Sequence, residues 1–364
     1  MDQERLSLLA LHFIPGVGPQ TIKQLISYCG SAGEVFKRPK GKLQNIPGVG
    51  RITAQSVAKG NTFALAEKEF KKAAREDTEI IFYTDKKYPS RLKSIDDAPT
   101  ILFFKGNCNL NHPRIVAIVG TRQATSYGRS VVDKIVEDLI PHQALILSGL
   151  AYGIDIQSHR QALKHNLPTI AVMGSGIDVI YPGNHADVAR KMMDRGGLIT
   201  ENFFGTKPDA HNFPSRNRII AGMCDALIVV EAAVTGGALI TAEIANSYNK
   251  DVFAIPGALG QTYSEGCNKL IKTNSAALLT SVKDLEYIMG WVPETGAVIE
   301  KVKVELNVEE QTVVDAITTK GSSMHVDEIA WKTGIPPSAL AALLLQLEFK
   351  SVINSLPGKM FSVR

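Results

Sequence analysis

Cysteine is scarce in this chain. Its four cysteines (Cys29, Cys108, Cys224 and Cys267) are spread over 364 residues with no two close together. That spacing excludes a Cys-x-x-Cys redox motif and a thiolate zinc site, and four are too few to staple a secreted scaffold. The eight histidines are scattered as well, so no metal is expected. Long apolar runs are missing: none approaches the ~18 residues of a membrane span, and no signal-peptide pattern opens the chain. Activating motifs are missing too, since Ser148, Ser215 and the histidines stand in no recognised nucleophile–base signature. The expectation is a reduced, cytoplasmic protein with no membrane association, no metal or cofactor and no catalytic residues. What remains is ordinary globular material: 45% hydrophobic and 21% charged residues exclude general disorder. At ~100–200 residues per domain, the length suits two or three domains.

The formal net charge of +4 is unevenly placed. Residues 1–60 hold eight Lys/Arg against three Asp/Glu, whereas 300–364 hold seven against eight. An anionic partner for the N-terminus fits that excess, and so does a solvated surface with spare lysines. The same segment repeats itself. Ile14-Pro15-Gly16-Val17-Gly18 recurs 32 residues later as Ile46-Pro47-Gly48-Val49-Gly50, each copy running into a helical stretch. In each copy a short helix should enter a tight Gly-x-Gly hairpin and leave through a second helix. The hairpin amides and helix N-terminus then point N–H groups outward, as in anion sites. Residues 1–78 thus read as a tandem helix-hairpin-helix domain. Gly16, Gly18, Lys23, Gly48, Gly50 and Arg51 are its candidate contacts to a nucleic-acid backbone. A small helical packing domain whose glycines only serve turns is the alternative.

From Glu79 the period changes. EIIFYTD reads as a strand, Tyr88-Pro89 and Pro99 mark a linker-like passage into ILFFKGN, and from Ile115 short β-branched runs alternate with helical stretches. The strand candidates are 115–120, 144–149, 169–174, 197–201, 226–231 and 251–257, with helices such as Tyr127–Ile140 and Ile154–His165 between them. Buried strands spaced by helices indicate βαβ units and a parallel sheet covered on both faces. Ligands then bind beyond the carboxyl ends of the strands. That rule gathers Gly120-Thr121-Arg122, Ser148-Gly149, Gly174-Ser175-Gly176 and Glu231 around one rim. The first turn, GTRQATSYG, lacks the three glycines of a dinucleotide fingerprint. It carries an arginine that is either a fixed fork for a phosphate or a surface ion-pair partner. Phe213-Pro214-Ser215-Arg216-Asn217-Arg218 sets two arginines near a helix start, one for the rim and one for a core acid. Gly236-Gly237 opens another helix and offers a second amide cradle.

The motifs VGTR, SGLAYGID followed by His159, GSGIDVIYPGN, FPSRNRIIAG, VVEA, TGGALITAEIA, IPG and GCNKLI follow one another over residues 115–272. In that order they resemble the bacterial DNA-processing protein A (DprA) family, also called Smf. The resemblance implies an extended Rossmann-like core over residues 79–292 that binds single-stranded DNA. It also implies a homodimer that protects incoming DNA and helps load the recombinase RecA during natural transformation. Carried over residue by residue, it assigns DNA binding to Arg122, with Gly120 and Thr121 as amide donors. It assigns the same role to Ser215, Arg216, Asn217 and Arg218, and to Gly236 and Gly237, while Ser148, Gly149 and Gly176 are candidate DNA contacts through their place on the rim. One departure stands out. Some relatives carry a lysine after the Tyr-Pro of the third loop, where this chain has Tyr181-Pro182-Gly183. Either one phosphate contact is lost or His185 replaces it in part.

Residues 300–364 read as a winged-helix domain. Helices are expected near Glu309–Thr319, Val326–Thr333 and Ser338–Phe349, followed by a hairpin tipped by Leu356-Pro357-Gly358-Lys359. The third helix, SALAALLLQLEF, offers no Arg or Lys and only Gln346 for a base edge. It suits protein contact better than the DNA major groove. A rival function also has a motif: TGGALITAE is similar to the PGGxGTxxE signature of nucleotide-cleaving phosphoribohydrolase-like enzymes. In that reading Glu243 acts in hydrolysis, although Val234 and Ala238-Leu239 depart from the signature. A nucleotide-sensing module is the third reading.

Overall fold

The computed structural model describes residues 2–210, 212–293, 306–319, 323–350, 352–356 and 358–363. It divides into two compact units, residues 1–294 and 295–364. The first is built on a nine-stranded sheet. In chain order its strands are β1 (Glu79–Phe82), β2 (Ile101–Gly106), β3 (Ile115–Val119), β4 (Leu145–Ser148), β5 (Thr169–Val172), β6 (Gly197–Thr200), β7 (Ala226–Val229), β8 (Asp251–Ala254) and β9 (Ala277–Leu278). The spatial order is β1-β2-β6-β5-β4-β3-β7-β8-β9. Strands β3 to β9 run parallel, and only β1 and β2 are antiparallel, with β2 bridging to β6. The order reverses between β4 and β7, on either side of β3. Such a switch point opens a crevice at the carboxyl ends.

Each strand divides its residues between two apolar layers, because successive side chains point to opposite faces. In β3, Ile115, Ala117 and Val119 enter one core, while Val116 and Ile118 enter another. In β7, Leu227 and Val229 join the first layer and Ala226 and Ile228 the second. That is why these strands read as uninterrupted hydrophobic runs. Helices Asn212–Met223 and Gly237–Ser247 cover one face, and helices Ser126–Asp138 and Ile154–Lys164 lie on the other.

The N-terminal helices cover the rest of that second face. Helices Gln3–His12 and Pro19–Cys29 flank the first hairpin, and Lys40–Gln44 and Arg51–Lys59 flank the repeat. Gly16 and Gly48 take φ of +78° and +74°, the left-handed region that side chains resist. The apolar side chains of these helices do not form a closed bundle of their own. Leu9, Leu11, Ile22 and Ala66 share one core with Phe82, Phe103, Ala171 and Leu198 of the sheet. Phe13 stacks on Phe203 at 4.3 Å, and the Arg5 guanidinium bonds both Asp85 carboxylate oxygens and the Ile80 carbonyl.

The second unit has its own core of Val313, Ile317, Met324, Ile329 and Ile353 with four leucines. Helices Val308–Thr318, Val326–Thr333 and Pro337–Phe349 precede a hairpin of Ile353–Leu356 and Met360–Val363. A two-residue strand, Met324–His325, adds to it. This is a winged helix. The leucine-rich helix carries less spare apolar surface than its sequence suggests. Leu340, Leu343, Leu344 and Leu347 are buried in the domain's own core, and of its large apolar side chains Leu345 and Phe349 are the exposed ones. The passage rich in Pro, Gly and Thr around residues 292–296 falls largely outside the described residues.

One buried group sets a pH limit on the fold. His159 is fully buried, and its Nδ1 meets Thr169 Oγ1 at 2.7 Å. That hydroxyl donates to the Ile146 carbonyl, so Nδ1 carries the ring proton and Nε2 is bare. Nε2 has no partner among the described residues. Burial, with lesser repulsion from His185 and Arg216, lowers the pKa to about 3. The unfolded chain takes up this proton near pH 6.5 and the folded chain does not, so stability falls as pH drops below 6.5. The expected loss from this group is about 2 kcal/mol by pH 5. Urea melts of parent and His159→Asn across pH 5–8 test this, and an equal pH slope in both would refute it.

Candidate nucleic-acid interface

The switch-point crevice is a cleft of about 800 Å³. Its walls come from three loops that leave the sheet. The loop after β3 supplies Gly120, Thr121, Arg122 and Gln123, the start of helix Asn212–Met223 supplies Phe213, Arg216 and Asn217, and the loop before helix Gly237–Ser247 supplies Thr235 to Gly237. Tyr181 and Tyr263 close its ends.

Glu231 shapes the first loop from beneath. Its carbonyl accepts the Thr121 N–H at 2.6 Å. Its buried carboxylate accepts Thr125 N–H at 2.9 Å and Thr125 Oγ at 2.5 Å. Thr125 in turn caps helix Ser126–Asp138 through the Gly128 amide. Glu231 is thus a support for the rim, not a group facing the ligand. The Thr121 amide is already used and is not the free donor expected. Arg122, set at the turn's outer end, is exposed and makes no ion pair among the described residues. Its guanidinium lies 5.4 Å from the Phe213 ring centre, a cation–π contact that orients the fork while leaving its N–H groups available.

The two arginines of the FPSRNR segment turn inward. Arg216 is buried, donating from Nη1 to the Gly149 carbonyl at 2.6 Å and the Val172 carbonyl at 2.5 Å. It therefore clamps the ends of β4 and β5. Asp155 lies in the same floor, its carboxylate accepting the Gly149 and Ala151 amides. Burial pushes the Asp155 carboxyl upward against the pull of Arg216, and burial lowers Arg216 against the pull of Asp155. Arg218 leaves the cleft altogether: it pairs with Glu201 and donates to the Asp97 carbonyl at 2.5 Å. The division expected for this pair holds for Arg218, which takes the core acid. Arg216 forms the floor of the cleft and does not project as a ligand.

Other expected contacts also sort by burial. Ser148 is fully buried and donates to the Ile118 carbonyl at 2.6 Å. A Cβ on Gly149 would stand 2.4 Å from Arg216 Nη1, so that glycine makes room for the guanidinium and not for DNA. Gly176 is buried against the Phe203 carbonyl, and Ser215 is exposed beside the cleft without lining it. Gly236 and Gly237 do line it, with open space where a Cβ would stand. Their helix has no side-chain cap, which leaves first-turn N–H groups for an anion. His185 is buried and bonds the Leu150 carbonyl, so it does not replace the missing lysine. In the N-terminal repeat, Arg51 is exposed, while Lys23 is half-buried beside Asp97 and Asp96. Phe213, Tyr181 and Tyr263 were not singled out from sequence. A Tyr-Pro and a Phe-Pro dipeptide at loop ends were the available signals for the first two.

The family model for DNA recombination-mediator protein A matches residues 79–289, and the DprA winged helix domain model matches 301–359. The chain belongs to the DNA recombination-mediator protein A family. Protein Smf of Synechocystis is 30% identical over the full length of both chains. Protein Smf of Escherichia coli is 35% identical over 74% of each. The crystal structure of Streptococcus pneumoniae DNA processing protein A superposes with a TM-score of 0.70 at 34% identity, over 79% of this chain and 98% of that one. DNA processing protein A of Helicobacter pylori matches with a TM-score of 0.53 at 26% identity, over 58% of this chain and 95% of that one. That structure was described for its single-stranded DNA binding mode. Family membership thus agrees with the expected Rossmann-like core and winged helix.

Replacing Arg216 with alanine strands two strand-end carbonyls in a buried site and removes the positive charge that favours the Asp155 carboxylate. The expected cost is about 3–5 kcal/mol, read as a lowered urea midpoint. A midpoint within error of the parent would remove Arg216 from the floor.

Proposed function

We propose that this chain binds single-stranded DNA in the switch-point cleft, protects incoming strands and delivers them to the RecA recombinase during natural transformation. The observation that supports this most strongly is the pairing of Arg122 with Phe213 at the mouth. One offers an unpaired cation for a phosphate, the other an aromatic face for a base, and the Gly236–Gly237 helix start lies across the cleft. Phosphate charge plus base stacking binds single strands without reading their sequence. The Helicobacter relative's binding mode supports the same ligand. We read the protein as a binder and not an enzyme. Glu243, the residue a phosphoribohydrolase reading needs, is exposed and does not line the cleft. The exposed Arg51 of the second hairpin is proposed as a further backbone contact, in a protein that acts in the cytoplasm.

A gel-shift titration of single-stranded against duplex DNA over a salt series tests the reading. Single strands should bind more tightly, with affinity falling steeply as salt rises. Arg122→Ala should weaken binding to every sequence by roughly tenfold. Equal binding by this variant and the parent would refute the cleft assignment.

A homodimer is part of the same proposal. The β9 edge of the sheet is short and has no further strand paired to it among the described residues, and Tyr287 and Ile288 of helix Val282–Met289 are exposed, Tyr287 at 89%. An exposed apolar pair, together with a sheet edge that has no partner strand among the described residues, suits a second copy. Tyr287→Glu with Ile288→Glu should convert a dimer to a monomer in light scattering. A dimer that survives both changes would place the interface elsewhere.

A further inference from the structure

We infer that the bound strand continues out of the cleft into a second nucleotide subsite, a groove lined by Arg129, Arg160 and Tyr152. This rests on the reading of the cleft as a single-stranded DNA site. The groove measures about 640 Å³ and shares Arg122 and Gln123 with the cleft. A strand held at Arg122 can therefore pass directly into it. Helices Ser126–Asp138 and Ile154–Lys164, which pack side by side, form its walls. Each contributes one arginine, and both arginines are exposed.

The charge and shape of the groove fit one occupant. Three arginines line it and no carboxylate does. Arg160 makes no ion pair among the described residues, and Arg129 has only one N–H engaged, on the Ala124 carbonyl at 2.5 Å. The nearby Asp133 accepts a hydrogen bond from Gln157 at 2.5 Å. Three cations that line one groove and make no ion pair among the described residues suit a flexible polyanion better than a lone ion. Tyr152 supplies the second element of a single-strand site. Its ring is 45% exposed and is braced from the buried side by the edge of His185 at 4.9 Å. A braced, half-exposed ring beside cations is a stacking platform for a base. Gln157 and Asn184 add neutral hydrogen-bonding groups. The groove thus repeats, with different residues, the cation-and-ring pairing of Arg122 and Phe213.

The test is affinity against oligonucleotide length, using full-length protein and oligothymidylates of about 5 and about 15 nucleotides. The short probe fills the cleft alone, and the long one reaches the groove. Arg129→Ala with Arg160→Ala should leave the short probe unchanged and weaken the long probe roughly tenfold. Losing two phosphate contacts should also lower the salt slope for the long probe by about 1.4. Tyr152→Ala should weaken the long probe selectively and leave the salt slope unchanged, which separates stacking from charge. Near-ultraviolet circular dichroism of each variant confirms folding. Parent-like binding of both probes by the double variant would overturn the subsite. An equal loss on both probes would overturn it as well, because it would mean a general field effect. If Arg122→Ala binds both probes like the parent, the cleft reading has failed instead, independently of the groove.

Discussion

A guanidinium surrounded by strand ends is the constraint on which the cleft depends. Arg216 reaches from a helix into the gap where β4 and β5 finish and takes a carbonyl from each. A parallel sheet leaves its terminal carbonyls without ladder partners, and at a switch point the neighbouring loops diverge, so no backbone amide is at hand to pair them. A long side chain with five N–H donors meets that need, and Asp155 balances its charge. The absence of a Cβ at Gly149 gives the guanidinium its space. Once these strand ends are fixed, the loop after β3 has a firm floor, and Arg122 can stand free above it. The buried arginine is structural so that the exposed one can bind.

The same logic runs through the first loop. Glu231, at the end of its strand run, holds Thr121 and Thr125 together, and Thr125 starts the next helix. An acid this close to a proposed phosphate site would repel its ligand if it faced the cleft. Turned inward and saturated by N–H and O–H donors, it fixes loop geometry instead. Charge placement at this edge is therefore layered, with paired or bonded charges below and unpaired cations above.

The strands were legible because each is buried on both faces, which leaves continuous apolar runs in the sequence. Val116 and Ala117 need apolar surroundings equally, although they serve different cores. Strand β9 left no such run, being only two residues long at the sheet edge. Arg216 and Arg218 illustrate the harder limit. Their residue type and spacing announce cations at a helix start, but their depth depends on where Gly149, Val172 and Glu201 come to rest. Those partners are 17 to 67 residues away in sequence, so tertiary geometry decided the matter. The leucine stripe of Pro337–Phe349 shows the converse. Its apolar excess looked like a docking surface until the small domain's core absorbed four of its leucines.

The sheet order carries a consequence for biosynthesis. Strand β2 pairs with β6, although β3, β4 and β5 lie between them in the chain. As the chain leaves the ribosome, the N-terminal helices and the β1–β2 hairpin emerge together, yet the partner edge of β2 is not made until about residue 200. Through that interval Phe103 and Phe13 wait for Phe203, and an unpaired strand edge faces solvent beside exposed apolar side chains. Unpaired edges of this kind invite association with other nascent chains. The N-terminal third of this protein is thus committed to a partner synthesised late, and its solubility during translation is set by the speed at which the ribosome delivers β6.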